Sequence, residues 1–182
     1  MLSPTNKSRR TIAEVLTVIV QSITAGETHI GEVGYSAITV VQQPTITAGV
    51  YVAGDAVGGL LTFANAARVN GGTGRIESVI VVDDAMQNAA FDLVLFDQIF
   101  ANTADNAPFD PTDADLENCI GTIPVEVVDY ASFVDNSVAT VRDEPLAFTA
   151  AATSLFGQLK TRSAPTYVAT SDLTIKIVVS RD

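Results

Sequence analysis

The sequence is poor in the side chains that most often carry covalent, metal and redox chemistry. Its 182 residues include one cysteine, Cys119, one histidine, His29, and no tryptophan. A single cysteine excludes an intramolecular disulfide, and a catalytic triad or zinc site normally needs more than one His or Cys. We therefore expect a protein that is not an enzyme and binds no cofactor or metal, with Cys119 as a buried structural side chain.

Basic residues are also scarce. Lysine and arginine number 10 against 21 aspartates and glutamates, which gives a net charge of −11. A nucleic-acid binder needs a basic patch to counter phosphate charge, so no nucleic-acid partner is expected. No apolar run reaches the roughly 18 residues that span a bilayer, so we expect a soluble chain without a membrane partner. Acidic residues concentrate between Glu77 and Glu144, where Arg142 is the one basic residue.

The densest acidic cluster has two explanations. Carboxylates at this density suit a hard cation such as Ca²⁺, although the spacing does not match an EF-hand. Thr112 and Asp115 have the spacing of a helix cap, and acidic side chains near a helix N-terminus favour its dipole. Whether the cluster binds a cation is left open, and no metal ligand is assigned. Its members are Asp110, Asp113, Asp115 and Glu117.

The chain is rich in β-branched residues, with 56 valines, isoleucines and threonines against 11 leucines. This composition favours strands, and turn residues recur every 8–12 positions, as in sandwiches. The predicted fold is an all-β, jelly-roll-like antiparallel β-sandwich, with one short helix near residues 112–120 and an N-terminal arm. The predicted strands are residues 35–41, 45–52, 57–63, 75–82, 91–96, 123–128, 138–141, 146–151, 155–161 and 173–179. The unbroken apolar run at 79–82 predicts a strand that is covered on both faces.

The first 44 residues form the predicted arm, and residues 45–182 form the predicted sandwich domain. The arm carries an apolar stripe at helical spacing next to basic residues, which predicts contacts with other protein subunits. Nine β-branched residues between 11 and 24 argue against the helix, which we nevertheless favour. A signal peptide and a stripe folded back on its own sandwich are the alternatives. The predicted contact residues are Arg9, Arg10, Ile12, Val15, Leu16, Ile19 and Ile23.

Several motifs from residue 45 onward resemble head-associated structural proteins of tailed bacteriophages. The resemblance begins at residues 54–63, GDAVGGLLTF, and continues through LVLFD at 93–97 and DNAPF at 105–109. It extends through ADL at 114–116, IG at 120–121 and the APT triplet at 164–166, to the closing Arg181-Asp182. The resemblance implies a capsid decoration or cement protein with a jelly-roll-like fold, often trimeric, and supplies no catalytic residues.

From this resemblance we expect a virion protein on the capsid exterior that is made in the host cytoplasm. Its partners would be the major capsid protein and two further copies of itself. The first alternative is a receptor- or glycan-binding module on a fibre or spike, although sugar sites usually stack on Trp or Tyr, which are rare here. The second is a metal-dependent hydrolase.

Overall fold

The computed structural model describes residues 36–142 and 145–181, which form two antiparallel sheets. One sheet has six strands and the other has four. A one-turn helix, α1 (Asp113–Leu116), and a 3-10 turn at Val127–Asp129 lie in the connections. The strands are β1 (Ser36–Gln42), β2 (Ala56–Phe63), β3 (Thr73–Asp83), β4 (Phe91–Phe96), β5 (Cys119–Val125), β6 (Tyr130–Ser132), β7 (Ser137–Val141), β8 (Leu146–Thr149), β9 (Leu155–Thr161) and β10 (Leu173–Arg181).

The strand pairs are nested along the chain. β1 pairs with β10, β2 with β9, β3 with both β7 and β8, and β4 with β5. The sheet orders are β1-β10-β3-β7-β6, with β8 also beside β3, and β2-β9-β4-β5. One long antiparallel hairpin that is rolled over into two sheets produces this nesting, which is the topology of a jelly roll. The predicted jelly-roll-like sandwich is therefore confirmed.

The main core lies where alternate residues of the two sheets face each other. Successive side chains of a strand point to opposite faces, so every second residue of β10 and of β4 is directed inward. Each of these side chains is 0% exposed, and burying one contributes about 1.5–3 kcal/mol. They are Leu173, Ile175, Ile177 and Val179 of β10, and Phe91, Leu93 and Leu95 of β4.

Residues 45–52 do not form the predicted strand. Ile46 and Tyr51 instead insert into the main core from a loop. The backbone N–H of Tyr51 donates to the carbonyl of Pro165 at 2.9 Å, and Val50 forms only an isolated bridge with Thr166. The β-branched residues of this segment favour a strand, but its backbone pairs only at single points.

The short helix begins where the spacing predicts it. The Thr112 Oγ1 atom accepts from the backbone N–H of Asp115 at 3.2 Å, which is the predicted cap. The helix ends earlier than predicted because Cys119 already pairs with Phe96 as the first residue of β5. The three-residue strand β6 is not predicted by any sequence pattern used above.

The sandwich begins before the predicted boundary at residue 44. β1 pairs with β10 over its whole length, from Ser36 opposite Arg181 to Gln42 opposite Ile175. Residues 1–35 lie outside the described part of the chain, so the arm remains a prediction. The same is true of its contact residues Arg9, Arg10, Ile12, Val15, Leu16, Ile19 and Ile23. Within residues 36–142 and 145–181, no helix is long and apolar enough to cross a membrane.

Candidate functional site

Four loops meet at one end of the sandwich, which we name the four-loop end. They are the connections at residues 43–55, 84–90, 133–136 and 162–172. The register places them together, because Asp83 at the end of β3 lies opposite Leu173 at the start of β10 and Ser137 at the start of β7. The connections at residues 64–72 and 97–118 start from the opposite end.

Hydrogen bonds join these loops to one another. The backbone N–H of Thr166 donates to Gln87 Oε1 at 3.0 Å, and that of Tyr167 donates to the carbonyl of Gly49 at 3.0 Å. The Asn88 side chain donates to Ser132 Oγ at 3.1 Å, beside the 133–136 loop. The four-loop end is thus one connected surface rather than four independent loops.

Three buried aspartates accept hydrogen bonds from backbone N–H groups of these loops. Asp83 is 0% exposed, and its carboxylate accepts from the backbone N–H groups of Ala85 and Asn88 at 3.1 and 2.9 Å. Asp172 accepts from two N–H groups in its own loop, and Asp55 accepts from the N–H of Val52 at 2.7 Å. These carboxylates serve as acceptors for turns, which accounts for their burial.

The outer surface of the four-loop end carries exposed apolar side chains among polar ones. Twelve large apolar side chains are exposed among the described residues, and six of them lie in these loops. Among these six, Val134 and Val168 are the most exposed, at 94% and 82%. Exposed apolar side chains that gather at one end of a domain are typical of protein interaction sites. The six residues are Val50, Val52, Met86, Phe133, Val134 and Val168.

No sequence pattern described above predicted the exposed apolar residues of the four-loop end. Its predicted contacts all lie in residues 1–35, outside the described part of the chain. A signal was nevertheless present, since Phe133 and Val134 stand between Ser132 and Asp135 in a segment of turn residues. Apolar side chains in a turn cannot reach a core easily, so they point to an external contact.

Two tyrosines lie beneath the four-loop end rather than on its surface. The rings of Tyr51 and Tyr167 pack edge to face, with centroids 6.0 Å apart, and both side chains are buried. Burial raises the pKa of both hydroxyls above the ordinary value, so both stay protonated near neutral pH. Tyr130 is half-buried and its hydroxyl donates to the carbonyl of Ala89 at 3.0 Å. Within the described residues no tyrosine offers an open ring on which a sugar can stack.

The loop at residues 97–118 covers the outer face of the four-stranded sheet. Under it lies a second apolar cluster, in which the Phe96 and Phe100 rings stack with centroids 3.9 Å apart. Gln158 is 0% exposed and fastens the loop to the sheet. Its Nε2 donates to the carbonyls of Thr103 and Gly58 at 2.6 and 2.8 Å, and its Oε1 accepts from the N–H of Thr103 at 3.0 Å.

Asp105 attaches the same loop to the rest of the sandwich at a second position. Its carboxylate accepts from the Tyr51 hydroxyl at 2.7 Å and from the Thr47 hydroxyl at 2.6 Å. The backbone N–H of Gly58 is the third donor, at 2.6 Å. Residues 106–109 then bond along the outer edge of β2, where the N–H of Asn106 donates to the carbonyl of Ala56 at 2.9 Å. The edge of β2 is consequently covered by the chain itself.

The acidic cluster at residues 110–117 belongs to this covering loop. Asp110, Asp113 and Glu117 are exposed, and Asp115 takes part in the Thr112 cap. In the described part of the chain, no three His, Cys, Asp or Glu side chains come together as a metal site. The cap explains Asp115 in the way that its spacing predicted.

Cys119 is half-buried rather than fully buried. It packs against the second apolar cluster, and its Sγ atom lies 3.8 Å from the carbonyl of Gly121. Its place beneath the covering loop agrees with the packing role that the sequence predicted. His29 lies outside the described residues.

Asp83 gives a testable pH dependence. Burial raises the pKa of its carboxyl above 3.8, and the charge of Asp172 adds to this, although backbone N–H donors oppose it. The folded state therefore holds this proton more tightly than the unfolded state does, so the contribution of Asp83 to stability falls as the pH rises above 3.8. Relative to an Asp83→Asn variant, the wild type should lose stability between about pH 4 and neutral pH. Urea unfolding across this range measures the difference, and a difference that grows in favour of the wild type would contradict the assignment.

Comparisons with known proteins do not show a family for this chain. No protein-family model matches the chain, and no curated protein matches its sequence. Among solved structures, a chain from Desmodium yellow mottle tymovirus matches with 11% identity, 82% coverage of each chain and a TM-score of 0.24. A likeness this slight bears on neither fold nor function. The strand order of the described residues defines a jelly roll, and this class rests on the nested pairing alone.

Proposed function

We propose that this chain is a structural virion protein that decorates the head of a tailed bacteriophage. It binds the capsid exterior across neighbouring major-capsid subunits and reinforces the shell as a homotrimer. The proposal assigns the chain no catalytic role, no cofactor and no nucleic-acid or membrane partner. The phage-head resemblance of residues 45–182 supports it, and so does the jelly-roll topology.

The apolar four-loop end is the observation that carries the proposal. Its loops are joined by hydrogen bonds, so little loop ordering opposes binding there. Six exposed apolar side chains make it the part of the described surface that is best suited to docking on another protein. Binding only to the assembled shell stabilises that state by mass action, which is how a decoration protein would reinforce a capsid.

Trimer formation follows from the same proposal. A closed ring of three copies satisfies all equivalent contacts and suits a three-fold junction of capsid subunits. The acidic surface of residues 97–118 would then face outward, away from the shell. In this arrangement the four-loop end contacts the capsid protein, and residues 1–35 supply contacts between copies.

The glycan-binding alternative finds no support in the described residues. Sugar platforms stack on open aromatic rings, yet Tyr51 and Tyr167 are buried and Phe133 is the one large aromatic side chain that is exposed there. A glycan array tests this alternative directly. Specific binding to a glycan would favour a fibre or spike module over capsid decoration.

A pair of charge substitutions tests the proposed docking surface. Val134→Asp places a charge at the most exposed apolar side chain of the four-loop end, and we expect at least about tenfold weaker addition to purified phage heads, as at an interface hot spot. Val69→Asp is the matched control, because Val69 is 62% exposed in the 64–72 loop at the opposite end. Equal binding of both variants would place the capsid contact elsewhere.

A further inference from the structure

The strand β1 lies at an edge of the six-stranded sheet and lacks the features that usually protect an edge. Within residues 36–142 and 145–181, it pairs with β10 on one side and with no strand on the other. Its seven residues, SAITVVQ, include no charge and no proline, and they pair with β10 at seven consecutive positions without a bulge. A long, regular and uncharged edge strand presents its backbone N–H and C=O groups to a further strand.

The other edge strands of the two sheets are protected against such pairing. Residues 106–109 cover the edge of β2, and β5 contains Pro124, which has no N–H to donate. The strands β6 and β8 have only three and four residues. Since short strands, prolines and covering loops all limit strand addition, β1 is the described edge that is best suited to accept a strand.

The side chains of β1 leave apolar area for an added strand to bury. Ile38 and Val40 point inward and pack against the main core, but both are only half-buried. Ala37, Thr39 and Val41 alternate with them and are exposed. A strand beside β1 would complete the cover of Ile38 and Val40, as neighbouring strands do for the inward residues of β10.

Charge favours a second copy of the chain as the source of this strand. The net charge is −11, so two copies repel each other overall and need a contact without carboxylates. The strands β1, β2 and β10 contain no aspartate or glutamate. The charged residues among them are Lys176 and Arg181 of β10, one strand away from the edge. Two copies that meet at β1 therefore bring no acidic strand residues together.

We propose that β1 pairs with β1 of a second copy, antiparallel, around a two-fold axis at Thr39. Full overlap of the two strands sets Thr39 opposite Thr39, Ile38 opposite Val40, and Ala37 opposite Val41. Inward side chains then meet inward ones, and β-branched and Thr–Thr pairs are favourable cross-strand neighbours. The contact is isologous, and it joins two six-stranded sheets into one. It goes beyond the trimer of the proposed function, because a two-fold axis relates copies of neighbouring trimers.

Cysteine cross-linking of the full-length chain tests the pairing. In a Cys119→Ser background, Thr39→Cys places one thiol of each copy at the axis, where opposite Cβ atoms are about 4.5–5.5 Å apart. We expect a short bismaleimide to produce covalent dimers at least about ten times faster than with Thr122→Cys, because paired copies react at high effective concentration. Thr122 is the matched control, an exposed threonine on the edge strand β5. Equal rates for the two variants would overturn the inference.

A charge variant gives a second readout. Thr39→Lys sets two like charges opposite each other at the axis, and lysine is a residue that natural edge strands use against pairing. In light scattering, the concentration at which the paired copies dissociate should rise at least about tenfold. Thr122→Lys is the control, and circular dichroism verifies that both variants fold.

An unchanged dissociation concentration for Thr39→Lys would contradict the β1 contact. Such a result would leave the proposed function standing, since decoration of the head does not require pairing between trimers. The proposed function fails on a different observation, the absence of the chain from phage heads.

Discussion

Replacing Gln158 by leucine should lower the free energy of unfolding by about 3–5 kcal/mol, because one buried and two half-buried backbone groups lose their partner. Leucine has a similar size but no polar atoms, so the carbonyls of Thr103 and Gly58 and the N–H of Thr103 lose their bonds to this side chain. Urea unfolding measures the loss. Hydrogen exchange at the Thr103 amide should accelerate most, since the covering loop is released first.

An exposed glutamine provides the control for this prediction. The Gln87 side chain also makes two hydrogen bonds to backbone groups, but it lies in the exposed 84–90 loop, where water replaces a lost partner. Gln87→Leu should therefore change stability by less than about 1 kcal/mol. Equal effects of the two variants would show that Gln158 does not fasten the 97–118 loop.

Replacing Phe91 by alanine should lower the free energy of unfolding by about 3–5 kcal/mol, the usual range for a buried phenylalanine. Phe91 is 0% exposed and packs in the main core, where its removal leaves a cavity that the two sheets cannot close. The matched control is Phe133→Ala, because Phe133 is 61% exposed at the four-loop end. That variant should stay within about 0.5 kcal/mol of the wild type.

The two phenylalanine variants also separate folding from binding. Phe133→Ala should weaken addition to phage heads although the protein remains as stable as the wild type. Thermal unfolding and a head-binding assay on both variants provide the comparison. A stable Phe133→Ala variant that binds heads normally would remove Phe133 from the docking surface.

The sandwich was predictable from sequence because its strands have local apolar patterns that are typical of strands. β4 and β9 have the predicted bounds, and the alternation of Leu173, Ile175 and Ile177 correctly identified the inward face of β10. The segment Phe91–Phe96 has apolar residues on both faces except at Asp92. The structure explains this, since the inward side chains fill the main core and Val94 and Phe96 lie under the covering loop.

The polar contacts were not predictable, because each partner lies far along the chain. Gln158 meets Thr103 across 55 positions, and Asp105 meets Tyr51 across 54. No local pattern distinguishes these side chains from solvated ones. Composition likewise misplaced residues 45–52, where Ile46 and Tyr51 reach the core from an irregular backbone. β-branched residues favour a strand, but regular backbone pairing is a separate requirement.

An electron-microscopy map of the virion tests the central claim most directly. Virions of the phage that the proposal expects to encode this chain supply the particles, and mass spectrometry of the same particles measures the copy number. We predict jelly-roll density on the head exterior, in threes around local three-fold positions, with Val134 and Val168 directed at the capsid protein. The copy number should be comparable to that of the capsid protein. Absence from intact particles, or density confined to a tail fibre, would contradict the account.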